Sequence, residues 1–293
     1  MFKGSYVALI TPMDANGQID YQDLEACIQF HIENGSDGIV SVGTTGESAT
    51  LPFDEHIKVV KRTVDIAAGR IPVIAGSGAN STDEAVFLSR EMAPLGVDGF
   101  LSVVPYYNKP QQAGMIAHFN AIADATDVPV LLYNVPGRTV ADMLPETVAV
   151  LAEHKNIVGL KDATGDLQRL TDTKALVPDD FVILSGDDET SCEFLKLGGH
   201  GVISVTANIV PGPMAKMCQA ARDNNFALCT AINAEIEKLH SALFVEPNPV
   251  MPKWAMYKMG LIKNPELRLP MVIPELASQK AIEAVLHEYA LMK

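Results

Sequence analysis

Short apolar runs alternate with longer amphipathic stretches along the first three quarters of the chain. The runs that we interpret as strands lie at 6–10, 38–42, 71–75, 99–104, 130–133, 157–160, 181–184 and 201–205. They recur roughly every 30 residues, which is the length of one strand–helix unit. Several are almost continuously apolar, as expected for parallel strands that are buried on both faces. The pattern predicts eight consecutive β–α units.

The first amphipathic stretch illustrates the helical period. Its apolar-face positions are Leu24, Cys27, Ile28, His31 and Ile32. This i, i+3, i+4, i+7, i+8 spacing places them on one face of a helix. Asp20 is the expected N-cap, and Gly35 is the expected C-cap.

Eight β–α units within about 222 residues predict a (β/α)₈ TIM barrel. A doubly wound open sheet is the alternative, but its glycine-rich dinucleotide fingerprint is absent after the first strand. After residue 223 the pattern predicts three helices, at 226–244, 249–259 and 274–292, with no strand between them. We therefore predict a catalytic barrel at 1–223 and a C-terminal helical region at 224–293.

Composition narrows the function classes. The chain has 293 residues, 48% of them hydrophobic, and a formal net charge of −14. This composition is typical of a folded protein, and the acidic balance disfavours nucleic acid as a partner. No apolar run has the length of a membrane span, and the first residues lack the pattern of a secretory signal. We expect a cytoplasmic protein that binds neither nucleic acid nor membranes.

The four cysteines do not have the spacing of a metal or disulfide motif. Cys27, Cys192, Cys218 and Cys229 form no C-x-x-C pair. We predict reduced thiols and neither a disulfide framework nor a zinc site.

The sixth predicted strand ends in a lysine. In a barrel the active site lies at the C-terminal ends of the strands, so the residue at each strand end matters. Lys161 follows the apolar run 157–160 directly. Apolar surroundings favour a neutral amine, which can attack a carbonyl carbon to form a Schiff base. The alternatives are that Lys161 extends to solvent or pairs with Asp162.

Two other strand ends carry groups that suit a small anionic substrate. The loop after the second strand, 43–48 (GTTGES), offers backbone N–H groups and hydroxyls that can bind a carboxylate. It can equally be a glycine turn with a threonine cap for the next helix. After the fifth strand, Tyr133 can move protons, and Arg138 can bind a carboxylate with its planar guanidinium. A surface ion pair is the alternative role for Arg138.

The remaining strand ends are less informative. Tyr106 and Tyr107 follow the fourth strand and, by themselves, favour packing or an interface. Asp187 and Asp188 follow the seventh strand, where they argue against a phosphorylated substrate and are expected to be acidic residues at a helix start. No cluster has convincing metal-ligand spacing. We predict lysine-dependent chemistry without a metal, and a structural role for His200.

Four segments together resemble the dihydrodipicolinate synthase family of pyruvate-dependent class I aldolases, which also includes N-acetylneuraminate lyase. The segments are 43–47 (GTTGE), 133–139 (YNVPGRT), 159–165 (GLKDATG) and 244–249 (FVEPNP). The resemblance covers essentially the whole chain. It implies condensation of pyruvate with aspartate semialdehyde to 4-hydroxy-tetrahydrodipicolinate, the first committed step of diaminopimelate and lysine biosynthesis.

The resemblance also implies catalytic roles. Lys161 would form the Schiff base with pyruvate, and Tyr133, Thr44 and Tyr107 of a neighbouring subunit would form a proton relay. The enamine carbon would attack the aldehyde, and cyclisation with loss of water would follow. A protonated imine is itself an electron sink, so no cofactor is expected. The family is usually a homotetramer built as a pair of tight dimers, so the resemblance implies that assembly.

Substrate-binding roles are carried over in the same way. Thr45 would hold the pyruvate carboxylate, and Arg138 would bind the semialdehyde carboxylate and steady Tyr133. Gly186 and Ile203 would contribute backbone groups near the pocket.

Many family members are inhibited by lysine at the tight-dimer interface. The matching positions here are Ser48, Ala49, His56, Asn80, Glu84 and Tyr106. Phe53 departs from the histidine of enterobacterial members, which removes a polar ring from the effector's ε-ammonium. We therefore hypothesise that lysine inhibits weakly or not at all. Steady-state rates across a lysine titration test this, and half-inhibition below millimolar lysine would refute it.

Two alternative functions remain at this stage. A sugar-acid lyase of the same family would use a different loop after Tyr133, whereas Arg138 within PGRT favours a small dicarboxylate-type electrophile. A non-catalytic barrel that binds an oxo acid would share the fold without the reaction. The presence of Lys161, Tyr133 and Thr44 together disfavours the latter.

Overall fold

The computed structural model describes residues 2–292 and contains a closed barrel of eight parallel strands in sequential order. The strands are β1 (Gly4–Ala8), β2 (Gly38–Ser41), β3 (Val73–Gly76), β4 (Gly99–Val103), β5 (Val130–Asn134), β6 (Ile157–Asp162), β7 (Val182–Ser185) and β8 (Gly201–Ser204). The barrel closes because β1 pairs with β8 as well as with β2. The predicted (β/α)₈ barrel is confirmed.

Helices separate the strands and complete the chain. They are α1 (Tyr21–Glu33), α2 (Phe53–Ala67), α3 (Thr82–Met92), α4 (Gln112–Asp124), α5 (Pro136–Thr139), α6 (Pro145–Leu151), α7 (Leu167–Lys174), α8 (Ser191–Lys196), α9 (Pro211–Arg222), α10 (Phe226–Ala242), α11 (Val250–Lys258) and α12 (Leu276–Glu288). As predicted, the Asp20 side chain caps α1, by accepting from the N–H groups of Gln22 and Asp23. The cap at the other end is Asn34, and Gly35 follows it in the left-handed region.

Each strand differs from its apolar run by one or two residues at one end or both, and two of these boundaries have a clear physical reason. β1 ends at Ala8, because Leu9 and Ile10 are buried but have already left the regular strand. The Ile10 N–H instead donates to the Asn208 side chain at 3.2 Å. β6 extends to Asp162, because Lys161 and Asp162 keep pairing with β5 and β7 although they are polar. Hydrophobicity therefore misses the last two residues of β6, which lie at its C-terminal end.

The core has two layers. One layer lies between the strands and the surrounding helices, and it continues into the C-terminal helices through residues such as Leu239 and Ile282. The other fills the barrel interior. Its buried members are Phe2, Tyr6, Ala8, Val40, Ile74, Leu101, Leu131, Tyr133, Val135, Val182, Leu184 and Ile203. The interior is thus packed with side chains, as in other barrels of this kind, and the open ends are the places left for a site.

The three C-terminal helices are α10, α11 and α12. α10 packs against α9 and α8, and α12 packs against α10 and α11. The predicted domain boundary at residue 223 falls between α9 and α10 and stays a prediction. No helix between residues 2 and 292 combines the length and apolarity that crossing a bilayer requires.

All four cysteines are free and buried. The Sγ atoms of Cys192 and Cys229 lie 3.6 Å apart and do not form a disulfide bond. Burial raises the pKa of the Cys27 and Cys229 thiols to about 12, so both are protonated at neutral pH.

Candidate active site

The lysine at the end of β6 faces the barrel interior beside a tyrosine. Strand pairing sets Tyr133 of β5 level with Lys161, and Lys161 level with Leu184 of β7. Residues level with each other on neighbouring strands point to the same face of the sheet. Lys161 and Tyr133 are each only 6% exposed, and the Lys161 Nζ lies 4.3 Å from the centroid of the Tyr133 ring. The pairing of β5 with β6, which includes a one-residue register shift between Val130 and Leu131, therefore brings an amine and a phenol together.

A glycine makes room for this lysine. A Cβ at Gly186 would lie 2.6 Å from the Lys161 Cε and 2.7 Å from the Ala163 Cβ, which is too close for any side chain. The end of β7 therefore packs directly on the alkyl chain of Lys161. Ile203 is buried in the barrel interior.

Lys161 does not pair with its neighbour in sequence. The Asp162 Oδ1 accepts from both the N–H and the hydroxyl of Thr164, at 2.8 and 2.6 Å, and the Oδ2 lies 3.5 Å from the Arg169 Nε. Burial raises the pKa of Asp162 above its ordinary value, and the two Thr164 bonds oppose this rise. Among the ion pairs of the described residues none involves Lys161, so the Lys161–Asp162 alternative is wrong, as is a solvent-extended side chain.

The loop after β2 is tightly fixed. Val42 and Glu47 adopt positive φ angles of 52° and 61°, which are unfavourable for residues with a Cβ and especially for a branched valine. The loop also sits against the end of β3, where a Cβ at Gly76 would lie 2.1 Å from the Val42 carbonyl oxygen. The alternative of a threonine helix cap is wrong, because α2 begins after Pro52 and has no side-chain cap.

The two threonines of this loop have different surroundings. Thr44 is half-buried and lines an open cleft. Thr45 is 2% exposed, and its Oγ1 accepts from the Asn248 Nδ2 at 2.9 Å. The bond joins distant parts of the chain, because Asn248 belongs to the segment between α10 and α11.

Asn248 also contacts the candidate carboxylate-binding arginine. Arg138 lies in the short helix α5, is exposed, and donates from Nη2 to the Asn248 carbonyl oxygen at 3.2 Å. The ion pairs found between residues 2 and 292 do not include Arg138, so its proposed surface pair is not present. Asn248 thus connects Thr45 with Arg138. The sequence predicted no separate role for Asn248, which appeared only within the segment 244–249. An isolated asparagine between prolines carries no periodic signal.

A cleft of about 480 Å³ opens beside these groups. Thr44, Arg138 and Asn248 line it together with Glu84 and Tyr106. Lys161 and Tyr133 do not line the cleft, since they lie deeper, within the barrel interior. The cleft is thus lined by candidate substrate-binding groups and does not include the Lys161 amine.

Most of the candidate lysine-binding positions line this same cleft: Ser48, Ala49, His56, Glu84 and Tyr106. Asn80 does not line it, and its carbonyl oxygen accepts from the Asn108 side chain at 2.8 Å. Burial, followed by the nearby Glu84 carboxylate, raises the pKa of Tyr106. Phe53 packs on Phe87 with ring centroids 5.8 Å apart, so an aromatic pair stands beside these polar groups.

His56 is a buried member of that set. Its Nε2 lies 2.8 Å from the Gly76 carbonyl oxygen, which assigns the proton to Nε2. Burial lowers the pKa of His56 to about 4, although the bond to Gly76 acts in the opposite direction. His56 is therefore neutral at pH 7 and supports the end of β3, against which the Val42 carbonyl packs.

Tyr107 lies apart from the other candidates. It is 88% exposed and has a φ of 74°, whereas Tyr106 is 36% exposed. Packing within this chain does not account for the position of Tyr107.

The two aspartates after β7 have different partners. α8 begins at Ser191, after Thr190 as the capping position. The Asp187 Oδ2 accepts from the N–H and the hydroxyl of Thr190, at 3.0 and 2.6 Å, so Asp187 binds the start of the helix as expected. The Asp188 Oδ2 accepts from the N–H groups of Val205 and Thr206, both at 2.9 Å, so it ties the end of β7 to the end of β8. The expectation of a helix-start role is wrong for Asp188, because it considered only the following helix.

His200 has a structural role at the start of β7. Its Nδ1 accepts from the Ile183 N–H at 3.1 Å, so the predicted role is confirmed. In the part of the chain that the structure describes, no group of three or more His, Cys, Asp or Glu side chains is arranged to hold a metal ion.

Comparisons with known proteins identify the family of this chain. The sequence matches the Dihydrodipicolinate synthetase family over residues 1–289. It is 68% identical over 286 residues to the 4-hydroxy-tetrahydrodipicolinate synthase of Pseudoalteromonas atlantica, covering 98% of each chain. It is 53% identical to the synthase of the same name from Psychromonas ingrahamii, covering both chains completely.

A solved structure extends the likeness to three dimensions. The chloride-inhibited dihydrodipicolinate synthase from Acinetobacter baumannii, complexed with pyruvate, superposes with a TM-score of 0.98. The two sequences are 44% identical, and the match covers 100% of both chains. On the match of family, sequence and fold over its full length, the chain belongs to the dihydrodipicolinate synthetase family.

Proposed function

We propose that this enzyme condenses pyruvate with L-aspartate 4-semialdehyde to give 4-hydroxy-tetrahydrodipicolinate, the first committed step of diaminopimelate and lysine biosynthesis. The observation that carries the proposal is the Lys161 amine, buried at the mouth of the barrel and 4.3 Å from the centre of the Tyr133 ring. The 68% identity to a 4-hydroxy-tetrahydrodipicolinate synthase supports the same assignment.

Lys161 is the nucleophile. Its Nζ attacks the carbonyl carbon of pyruvate, and the resulting carbinolamine loses water to form a protonated imine with the substrate. Loss of a proton from the methyl carbon gives the enamine. The enamine carbon then attacks the aldehyde carbon, whose oxygen takes a proton and becomes the 4-hydroxyl.

Ring closure releases the enzyme. The amino group of the former semialdehyde attacks the imine carbon, and the bond from that carbon to Lys161 breaks. The cyclic product keeps the new hydroxyl, and one water leaves over the whole reaction, when the imine forms.

Proton transfer is assigned to hydroxyl groups at the barrel mouth. Tyr133 lies against the Lys161 amine, so its phenol can deliver a proton to the departing water. Thr44 lies at the edge of the cleft, where its hydroxyl can link Tyr133 to a second phenol. We assign that second phenol to Tyr107 of a neighbouring subunit, since Tyr107 is 88% exposed on its own chain.

This assignment requires a homo-oligomer. We propose a homotetramer formed from two tight dimers, in which each dimer completes two sites. The proposed setting is the cytoplasm, where the four free thiols would remain reduced.

The two carboxylates bind on different loops. Thr45 and the N–H groups of its loop hold the pyruvate carboxylate, supported by the Asn248 bond to the Thr45 hydroxyl. Arg138 lines the cleft without a carboxylate of its own among the described residues, so its guanidinium is free to bind the semialdehyde carboxylate. Gly186 and Ile203 supply the close walls of the pyruvate site.

Lysine is a weak effector of this enzyme in our proposal. Glu84 would bind its α-ammonium group, and Ser48, Ala49, His56 and Tyr106 line the same cleft. Phe53 stacks on Phe87 and offers no hydrogen bond to the ε-ammonium.

Borohydride trapping tests the proposed reaction directly. Incubation with pyruvate and borohydride should convert the imine into a stable secondary amine, and peptide mass spectrometry should locate it on Lys161. Lys161→Ala should lack the adduct and lose at least about a thousandfold in kcat.

The matched control is Lys155→Ala. Lys155 is exposed and precedes β6 at the opposite end of the barrel, so its replacement should leave the adduct and the rate unchanged. An assay with aspartate semialdehyde and, separately, N-acetylneuraminate then identifies the substrate. An adduct on another lysine, or turnover of the sugar acid alone, would refute the proposal.

A further inference from the structure

A buried lysine that the reaction does not use lies behind the pyruvate-binding loop. Lys253 is in α11 and is 0% exposed, so its ammonium group has no access to water. Its Nζ lies 2.5 Å from the Oε1 of Glu47, whose side chain is 2% exposed. A charge removed from water in this way persists only when a partner compensates it.

All the polar atoms of this pair have partners. The Lys253 Nζ also donates to the Glu266 carbonyl oxygen at 2.6 Å, and the Glu47 Oε2 accepts from the Arg268 N–H at 3.0 Å. Burial lowers the pKa of Lys253, while the Glu47 carboxylate opposes that effect. The pair thus joins the loop after β2 to α11 and to the segment that follows it.

The position of Glu47 gives this connection its importance. Glu47 is two residues from Thr45, and its backbone is in the left-handed region with a φ of 61°. An unfavourable backbone conformation persists only when its surroundings hold it. Two other side-chain hydrogen bonds to the loop join neutral groups and are weaker. The Thr11 hydroxyl donates to the Gly46 carbonyl oxygen, and the Asn248 Nδ2 donates to the Thr45 hydroxyl.

We propose, on the basis of the function proposed above, that Glu47 and Lys253 are positioning residues which hold Thr44 and Thr45 in the geometry that binds pyruvate. The ion pair fixes the end of the loop, and the loop conformation then places the two hydroxyls and the backbone N–H groups. A displacement of about 1 Å at such groups is enough to lower a rate substantially. Arg138 lies in α5, and the described bonds of Glu47 and Lys253 do not reach that helix, so the pair acts on pyruvate and not on the semialdehyde.

The test measures pyruvate capture and turnover in the full-length oligomer. Lys253→Met removes the cation, and the double variant Glu47→Gln with Lys253→Met removes both charges without stranding either one. In both variants we expect the pyruvate concentration for half-maximal borohydride trapping on Lys161 to rise about tenfold. The ratio kcat/KM for pyruvate should fall by a similar factor, and kcat/KM for the semialdehyde should change less than twofold.

Asp23→Asn is the matched control. Asp23 is a buried carboxylate that also ties the barrel to the C-terminal region, through Lys263, but it does not contact the loop. Its replacement should lower the thermal midpoint and leave pyruvate trapping unchanged. Circular dichroism establishes that each variant is folded, and the double variant provides the answer if Lys253→Met is not.

Each outcome has a defined meaning. Half-maximal trapping within twofold of the wild type in the folded double variant would overturn the inference, since the pair would then only stabilise the fold. An equal loss for both substrates, or an equal loss in Asp23→Asn, would also overturn it. Absence of any adduct in the wild-type enzyme would instead refute the proposed reaction, and the inference with it.

Discussion

The ends of β6 and β2 face the same barrel mouth but are held there in different ways. Lys161 is still within a strand that is paired on both sides, and its position follows from strand register, including the shift between β5 and β6. The loop that carries Thr44 and Thr45 has left its strand and contains two residues with positive φ angles. Its main side-chain contacts come from residues about 200 positions away in sequence, Asn248 and Lys253.

This difference separates two kinds of functional group. The lysine that we propose forms the covalent bond is placed by strand pairing. The groups of the loop after β2 that we propose bind a carboxylate are placed by side-chain contacts with the C-terminal region. Variants at the end of β6 should therefore affect the chemical step, and variants of the loop after β2 should affect substrate affinity.

After the loss of Lys161 itself, the largest effect is expected for Tyr133→Phe. Loss of the phenolic hydroxyl next to Lys161 removes the proton donor, so kcat should fall by about a hundred- to a thousandfold while pyruvate still forms the imine slowly. Steady-state kinetics together with time-resolved borohydride trapping measure both quantities. Tyr6→Phe is the control, because Tyr6 is another buried tyrosine inside the barrel. An unchanged kcat in Tyr133→Phe would show that the strand-placed pair does not carry the proton transfer.

Mixed oligomers test whether the relay crosses between subunits. Tyr107→Phe alone should lower kcat by about ten- to a hundredfold, and Lys161→Ala alone should be inactive. A dimer with one subunit of each kind would contain one intact site, formed by the native Lys161 of one chain and the native Tyr107 of the other. Co-expressed subunits should therefore recover up to about a quarter of wild-type activity. Activity no higher than that of the Tyr107→Phe fraction would place this tyrosine outside the site.

Asn248→Ala should have a smaller effect, confined to the loop side. It removes the donor to the Thr45 hydroxyl and keeps the backbone carbonyl that contacts Arg138. Because one hydrogen bond is lost, we expect KM for pyruvate to rise about five- to tenfold with little change in KM for the semialdehyde. Asn34→Ala, which removes a surface bond to the Phe30 carbonyl oxygen, is the control. A larger effect on the semialdehyde would show that Asn248 serves Arg138 instead.

The smallest predicted effect is on the free energy of unfolding, and it concerns His56, which bonds to the end of β3. Burial lowers its pKa from 6.5 to about 4, so below pH 6.5 the unfolded chain binds a proton that the folded protein does not. This contribution to stability is complete above pH 6.5 and is lost as the pH falls towards 4. Within that window His56→Gln should reduce the pH slope of the unfolding free energy by about 1.4 kcal/mol per pH unit.

Urea unfolding between pH 4.5 and 7 measures that slope. His287→Gln provides the control, because His287 is exposed on α12 and should leave the slope nearly unchanged. Equal slopes in wild type and His56→Gln would mean that His56 is not buried as a neutral ring.

Much of the architecture was predictable because its signals are local. Each strand is a short apolar run, and each run is followed by an amphipathic helix, so the order of elements predicted the barrel. The position of Lys161 at a strand end was also visible, since a charged residue directly after an apolar run is conspicuous. What hydrophobicity did not show was that β6 continues through Asp162.

Other features could not be predicted from the sequence, because they depend on partners far away in the chain. Asp188 precedes a helix, which suggested a helix-start role, yet it binds the end of β8. Asn248 and Lys253 lie in an apolar C-terminal segment with nothing nearby to indicate their contacts. Such pairings arise only when the chain closes on itself.

The sequence by itself determined the alternation of strands and helices, the closed barrel and the places of Lys161 and Tyr133 at strand ends, because hydrophobic periodicity and strand-end position are properties of short segments. Only the tertiary structure decided how the Thr44–Thr45 loop is held. Its conformation is unfavourable in isolation and is stabilised by a buried ion pair between residues 47 and 253. The physical reason is that burying a charge is tolerable only in the presence of its partner, and that partner is brought into place by the complete fold.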